Sequence, residues 1–263
     1  MQKIEKSEGS PAIALSDVSV TTPQRRLLLD HVSLTCDAGT TTVILGRSGS
    51  GKTTLLRTIN GMIAASSGQI KVRSVDVQTA DLTQLRRGIG YVIQETGLFP
   101  HFTIERNVGV VLEAIDRPRN DRIQRIHELL AAVGLDPASF AGRYPHQLSG
   151  GQRQRVGLAR ALAADPPILL MDEPFGALDP LTRAEMQDLL RNLLSRMRKT
   201  IVLVTHDVDE ALYLADRIVL LQEGRLVTRV SPQEFLNSSA PEVAVFLRAY
   251  RRGARQMRSE INT

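Results

Sequence analysis

The chain has 263 residues, room for one large domain or two small ones at roughly 100–200 residues per domain. An apolar share of 42% supplies a core of ordinary size and excludes a disordered or fibrous chain. A net charge of +5 permits anionic partners without selecting one, while 4% aromatics and no Trp argue against base-stacking platforms for nucleic acid. One cysteine, Cys36, excludes an internal disulfide and a cysteine cage for metal. No apolar run approaches the ~18 residues that span a bilayer, and the charged stretch Met1 to Ser10 lacks the apolar segment of a signal peptide. The expectation is a soluble, cytoplasmic protein.

Strand-like runs alternate with helix-like periods, the α/β pattern. Strands are expected at Ile13 to Val20, Val32 to Cys36, Thr41 to Leu45, Gln69 to Arg73 and Ile89 to Ile93. A helical middle follows. Ile104, Val108, Val111, Leu112 and Ile115 share one helical face, as do Ile123, Ile126, Leu130 and Val133, with Gly134 at the expected C-terminal cap. Strands return at Ile168 to Asp172, Ile201 to Thr205 and Arg217 to Leu221, the first two separated by a long helix that Asp179 and Pro180 open. Ser231-Pro232-Gln233-Glu234 reads as a capping box for a further helix. No repeat, low-complexity tract or long linker appears, so one unit with a helical insertion is expected.

Gly46-Arg47-Ser48-Gly49-Ser50-Gly51-Lys52-Thr53 fits the G-x-x-x-x-G-K-[ST] phosphate loop, between the strand Thr41 to Leu45 and a helix-like run from Thr53. Its glycines let backbone amides approach phosphate oxygens, and the helix adds its positive end. Lys52 would bridge the terminal phosphates and Thr53 would ligate Mg²⁺; Thr54 follows on the same helix. Ile168 to Glu173 is an apolar strand ending in two carboxylates, Asp172 to hold Mg²⁺ and Glu173 to polarise an attacking water. Leu148-Ser149-Gly150-Gly151-Gln152 opens another helix and offers a second set of exposed amides, about a hundred residues from the first. One nucleotide needs one such loop, so a head-to-tail dimer is expected, with each ATP held between the loop of one chain and the Ser149 segment of the other. Gln94 and His206, at strand ends, would reach the same edge: Gln94 as a Mg²⁺ ligand and γ-phosphate sensor, His206 as a donor to that phosphate. Asp179 reads either as a helix cap or as a contact to the partner chain.

In these motifs the sequence resembles the ATP-binding subunits of ABC transporters, from about Ile13 to Gln233. It carries the Walker A loop Gly46 to Thr53, the Q-loop Gln94, the signature Leu148 to Gln152, Walker B Ile168 to Glu173, the D-loop Asp179 and the switch histidine His206, in family order. Ile89 to Gln94 followed by Gly97-Leu98-Phe99-Pro100-His101, Tyr144-Pro145-His146-Gln147, and Asp172 to Pro180 look like importers of quaternary-amine osmoprotectants. Amino-acid and anion importers share parts of these stretches, and soluble ABC ATPases form a more distant alternative. The resemblance implies an α/β P-loop NTPase core with an N-terminal antiparallel β subdomain and an inserted helical subdomain. The expected division is 1–93 and 165–235 as β and catalytic core, 94–164 as helical subdomain, and 236–263 as a helical tail. It also implies a homodimer around two ATP and Mg²⁺, a membrane permease touched by the segment Glu95 to Phe102, an indirect link to a solute-binding protein, no nucleic acid, and a place on the cytoplasmic face of the membrane.

Two departures stand out. The family usually stacks an aromatic residue on adenine, near positions 20–22 here, where this chain has Val20-Thr21-Thr22. Many osmoprotectant ATPases carry C-terminal cystathionine-β-synthase-type modules, and these are expected to be missing. In the tail, Val243, Phe246, Leu247, Tyr250, Ala254 and Met257 recur at helical spacing beside Arg248, Arg251, Arg252, Arg255 and Arg258. This reads as a docked helix with a solvated basic side, the alternative being contact of that side with anionic lipid.

Overall fold

The structure, a computed structural model, describes residues 11–94, 96–248 and 250. It begins with two long strands, β1 (Ile13–Thr21) and β2 (Leu27–Cys36), paired antiparallel so that Ile13 faces Cys36 and Val20 faces Leu29. Then come β3 (Thr41–Leu45), α1 (Lys52–Ile59), β4 (Ser67–Val72), β5 (Val75–Asp76), α2 (Leu82–Arg87) and β6 (Ile89–Val92). The helical insertion holds α3 (Ile104–Ala114), α4 (Arg119–Ala132), α5 (Pro137–Phe140) and α6 (Gly150–Leu162). The chain returns through β7 (Ile168–Asp172), α7 (Pro180–Met197), β8 (Thr200–Thr205), α8 (Val208–Leu214), β9 (Arg217–Gln222), β10 (Arg225–Val230) and α9 (Pro232–Leu236). Residues 241–248 are helical again.

One sheet has the order β2-β1-β4-β5 and is antiparallel; the other has the order β10-β9-β3-β8-β7-β6 and is parallel except for β10. Every residue of β3, β7 and β8 is buried, as expected of parallel strands covered on both faces. Side chains alternate across the sheet, and this alternation splits the core in two. Ile44, Leu170, Val202 and Val219 pack with Leu55, Leu56 and Ile59 of α1 against the antiparallel sheet. Val43, Leu45, Met171, Leu203 and Leu220 pack against the helical side, with Val108, Leu130, Val156 and Leu190. The observed fold is the expected α/β P-loop NTPase core of ABC type, with its antiparallel sheet and helical insertion.

Local signals placed the helix starts well. Asp179 caps α7 by accepting from the Thr182 amide at 3.1 Å, and Ser231 and Glu234 form the capping box of α9. Gly134 follows α4 with φ +73°, the left-handed cap that glycine adopts without strain. Several boundaries differ from expectation. β2 begins at Leu27 rather than Val32, because its first half pairs with the end of β1. β6 stops at Val92, so Gln94 lies two residues beyond the strand. β5, β10, α2, α5 and α8 were not expected; β10 is an edge strand whose Arg225, Thr228 and Arg229 give it the look of a loop. In the tail, Val243 and Leu247 are 0% and 4% exposed, so the described part of the helix is docked as expected. Arg251, Arg252, Ala254, Arg255, Met257 and Arg258 lie outside the described residues, as does Glu95.

Candidate functional site

The parallel strands end together: Leu45 lies beside Thr205 and Leu220, and Asp172 beside Val204. At this edge the chain leaves β3 through residues 46–51. A Cβ on Gly46 would lie 2.4 Å from the Leu221 carbonyl oxygen, and one on Gly51, at φ +102°, would lie 2.7 Å from that of Leu28. Only glycine fits at either position. The Ser50 amide donates to the Arg47 carbonyl at 3.2 Å, and the Gly224 amide donates to the Ser50 carbonyl at 3.0 Å. Gly51 caps α1 without a side chain, so no side chain of the cap residue occupies the first-turn amides.

Lys52 is 5% exposed and its Nζ donates to the carbonyls of Gly46 and Arg47 at 2.8 and 3.0 Å. Burial lowers its pKa, while the neighbouring carboxylates of Glu173 and Asp172 pull it back up. Thr53 Oγ1 donates to Asp172 Oδ1 at 2.9 Å, across 119 residues of sequence, and the Tyr91 hydroxyl approaches Oδ2 of the same carboxylate at 3.4 Å. Glu173 takes φ +44°, a left-handed conformation that costs a residue with a Cβ roughly 1–3 kcal/mol. Its amide donates to the Val204 carbonyl at 3.0 Å, and its carboxylate stands between Lys52 Nζ at 3.6 Å and His206 Nδ1 at 3.3 Å.

These groups surround a cavity of about 750 Å³, walled by Arg47, Ser48, Gly49, Gly51, Lys52, Thr53 and Thr54 and by Gln94, Glu173 and His206. Gly46 and Ser50 do not line it; Gly46 packs on Leu221 and Ser50 is buried. Sequence reasoning missed five further lining residues, Arg26, Leu28, Val208, Val245 and Phe246. Phe246 carried only the signal of a helical apolar period, which does not separate a core position from a site position. The oxygens of Thr53 and Asp172 are already paired, and Gln94 opens on the same cavity with its side chain exposed. Such hard oxygen donors fit Mg²⁺, which keeps several waters and takes few protein ligands. Among the described residues no group of three or more His, Cys, Asp and Glu forms a metal cluster.

The second glycine-rich segment is not brought to the loop within one chain. Ser149 caps α6, its Oγ accepting from the Gln152 amide at 3.2 Å while Gln152 Oε1 accepts from the Ser149 amide at 3.0 Å. Gly150 lines a separate cavity of about 510 Å³ with Glu173 and His206; Ser149, Gly151, Gln152 and Asp179 line neither cavity. The segment after Gln94 lies against the helical insertion. Buried Asn107 bonds the backbone of Phe99, Phe102 and Thr103, and Arg160 donates to the carbonyls of Thr96 and Gly97.

The family described as "ABC transporter" matches residues 29–176, which take in the loop, Gln94, Ser149 to Gln152 and both strand-end carboxylates. The choline transport ATP-binding protein OpuBA of Bacillus subtilis is 46% identical over 230 residues, 88% of this chain and 60% of that protein. The osmoprotectant import ATP-binding protein OsmV of Salmonella typhimurium is 49% identical over 214 residues, 81% of this chain and 56% of that protein. The chain thus spans somewhat more than half the length of these relatives. Among solved structures, the dimeric bacterial ABC transporter cassette MJ0796 superposes with a TM-score of 0.77 at 36% identity, covering 84% of this chain and 98% of that one. A second structure of MJ0796 is a dimer in a post-hydrolysis state bound to ADP and Pi, with a TM-score of 0.75 at 35% identity and the same coverage. With a family match across more than half its length, and relatives nearly half identical over four-fifths of it, the chain belongs to the ABC transporter family.

Proposed function

We propose that this chain is an ATP-hydrolysing subunit that dimerises around two ATP and powers a separate membrane permease for uptake of a quaternary-amine osmoprotectant. The observation that carries the ATPase reading is the Glu173 carboxylate standing between Lys52 and His206 at the mouth of the glycine loop. The solute class rests on relatives named for choline transport, osmoprotectant import and glycine betaine/carnitine/choline transport, 46–49% identical to this chain.

The loop residues Gly46 to Thr54 hold the triphosphate through backbone amides and the Lys52 ammonium, which leaves its carbonyl partners for phosphate oxygens. Glu173 takes a proton from water as the water oxygen attacks the γ-phosphorus and the bond to the bridging oxygen breaks, yielding ADP and phosphate. His206 donates to the γ-phosphate and orients Glu173. Thr53, Asp172 and Gln94 would hold Mg²⁺, which neutralises phosphate charge when bound. Ser149, Gly150, Gly151, Gln152 and Asp179 of a second copy complete each site, in keeping with the dimeric MJ0796 cassettes. Loss of the γ-phosphate contacts lets the dimer open and drives the permease.

On this reading the permease bears on the segment 96–102, a solute-binding protein acts through it, and the subunit sits on the cytoplasmic face of the membrane. Among the described residues no helix is long and apolar enough to cross a membrane. Residues 1–93 and 165–235 form the catalytic core, 94–164 the helical subdomain and 236–263 the tail.

The test is Glu173→Gln, which keeps shape and removes the base. Hydrolysis should fall by a factor on the order of 10²–10⁴, while ATP binding survives and an ATP-bound dimer accumulates on a sizing column. Lys52→Ala should instead weaken ATP binding itself. Near-parental turnover in the Glu173 variant would overturn the assignment.

A further inference from the structure

The lining of the cavity at the glycine loop combines two kinds of chemistry. Lys52, Thr53, Gln94, Glu173 and His206 are polar groups suited to phosphate and metal. Arg26, just before β2, adds a guanidinium that can lie flat on a ring, and Leu28 of β2 with Val245 and Phe246, from the helical residues 241–248, adds apolar surface that phosphate chemistry does not use. A purine base needs such a surface, since its faces are π systems and stacking tolerates any base.

The turn between β9 and β10 borders both Leu28 and a cavity lined by Val245 and Phe246. A Cβ on Gly224 would come 2.8 Å from the Leu28 carbonyl oxygen, and the Asp30 amide donates to the Gly224 carbonyl at 2.9 Å. The same turn holds the loop, the Gly224 amide donating to the Ser50 carbonyl. On its other side, Glu223 shares a cavity of about 550 Å³ with Ser48, Gly49, Pro241, Val245 and Phe246. Buried Val243 and Leu247, one helical turn apart, anchor the segment to the core, while Val245 remains 51% exposed. Phe246 is the one phenyl or phenol ring among the described residues lining the loop cavity, and Val20, Thr21 and Thr22 at the end of β1 supply none.

We infer that Phe246, with Arg26 and Leu28, forms the surface on which the nucleotide base rests, making the helix 241–248 part of the nucleotide site. The inference rests on the reading that the loop binds ATP. It assigns the base a stacking surface without a hydrogen-bond code, so ATP and GTP should bind with affinities within a few-fold of each other.

The chain contains no Trp, so Phe246→Trp in the full chain introduces a single tryptophan, which can be excited apart from the four tyrosines. ATP and GTP should both change its emission at saturation, and inorganic triphosphate should not. By calorimetry, Phe246→Ala and the ringless, volume-preserving Phe246→Leu should weaken ATP on the order of tenfold and leave triphosphate affinity unchanged. Arg26→Ala should act in the same direction, and serves if the Phe246 variants fail to fold. Parental ATP affinity in the alanine variants, equal losses for ATP and triphosphate, or a Trp silent to ATP would each overturn the base assignment while the loop reading stands. Failure of the parental chain to bind ATP would overturn the loop reading instead.

Discussion

Glu210 offers the most quantitative check on how the strand edge is built. It is 3% exposed on α8, and its Oε2 accepts from Thr205 Oγ1 at 2.5 Å. Thr205 Oγ1 in turn accepts from the Asp207 amide at 3.0 Å, and Asp207 pairs with Arg183 at 3.2 Å. His206 sits in the middle of this network, so Glu210 fixes the turn that carries it. Burial pushes the Glu210 carboxyl from its usual 4.5 up to about 7; the Asp207 charge adds to this, while the Thr205 hydrogen bond, Arg183 and His206 oppose it. The folded chain therefore holds a proton that the unfolded chain has released. Below about pH 4.5 both states are protonated and the group is neutral in its effect. As pH rises from 4.5 to about 7 the unfolded state gains, and stability falls. At about 1.4 kcal/mol per pH unit, that interval amounts to about 3 kcal/mol. Glu210→Gln keeps an acceptor for Thr205 and never ionises. Urea unfolding followed by circular dichroism should show the variant gaining about 3 kcal/mol over the parent between pH 4.5 and pH 8. A difference between the two chains that does not change with pH would refute the reasoning.

Gly46→Ala would push a methyl against the Leu221 carbonyl and the Ser50 side chain. A loss of roughly 1–3 kcal/mol in thermal or urea stability is expected, together with loss of ATP binding by calorimetry. Ser149→Ala removes the cap of α6 and should cost about 1 kcal/mol in a urea melt; on the dimer reading it should also lower ATP-dependent dimer formation on a sizing column. Cys36 is fully buried and its thiol is pushed up to about 11. It should ignore Ellman's reagent in the native protein at pH 8 and react fully once the chain is unfolded.

Much of this protein was legible from residues close together in sequence. β3 and β7 were located to the residue, because fully buried parallel strands are unbroken apolar runs. The starts of α6, α7 and α9 followed from Ser149, Asp179 with Pro180, and Ser231 with Glu234, whose side chains act within three residues. The glycine loop was legible for the same reason, since backbone shape at Gly46 and Gly51 is a local demand. β10 was not, because an edge strand open to water needs no distinctive apolar alternation.

What the tertiary structure alone decided is the company each group keeps. The pairing of Thr53 with Asp172, the placing of Glu173 between Lys52 and His206, and the burial of Glu210 depend on which strands lie side by side. Phe246 shows the difference most directly. Its spacing with Val243 and Leu247 announced an apolar helix, and the structure buried two of those residues in the core and left the third, packed against that core, on the wall of the cavity that Arg47 and Ser48 also line. Local sequence determines backbone conformation because the forces involved act within a turn. Which surface meets which is decided by packing between segments as much as two hundred residues apart, and no local pattern records that.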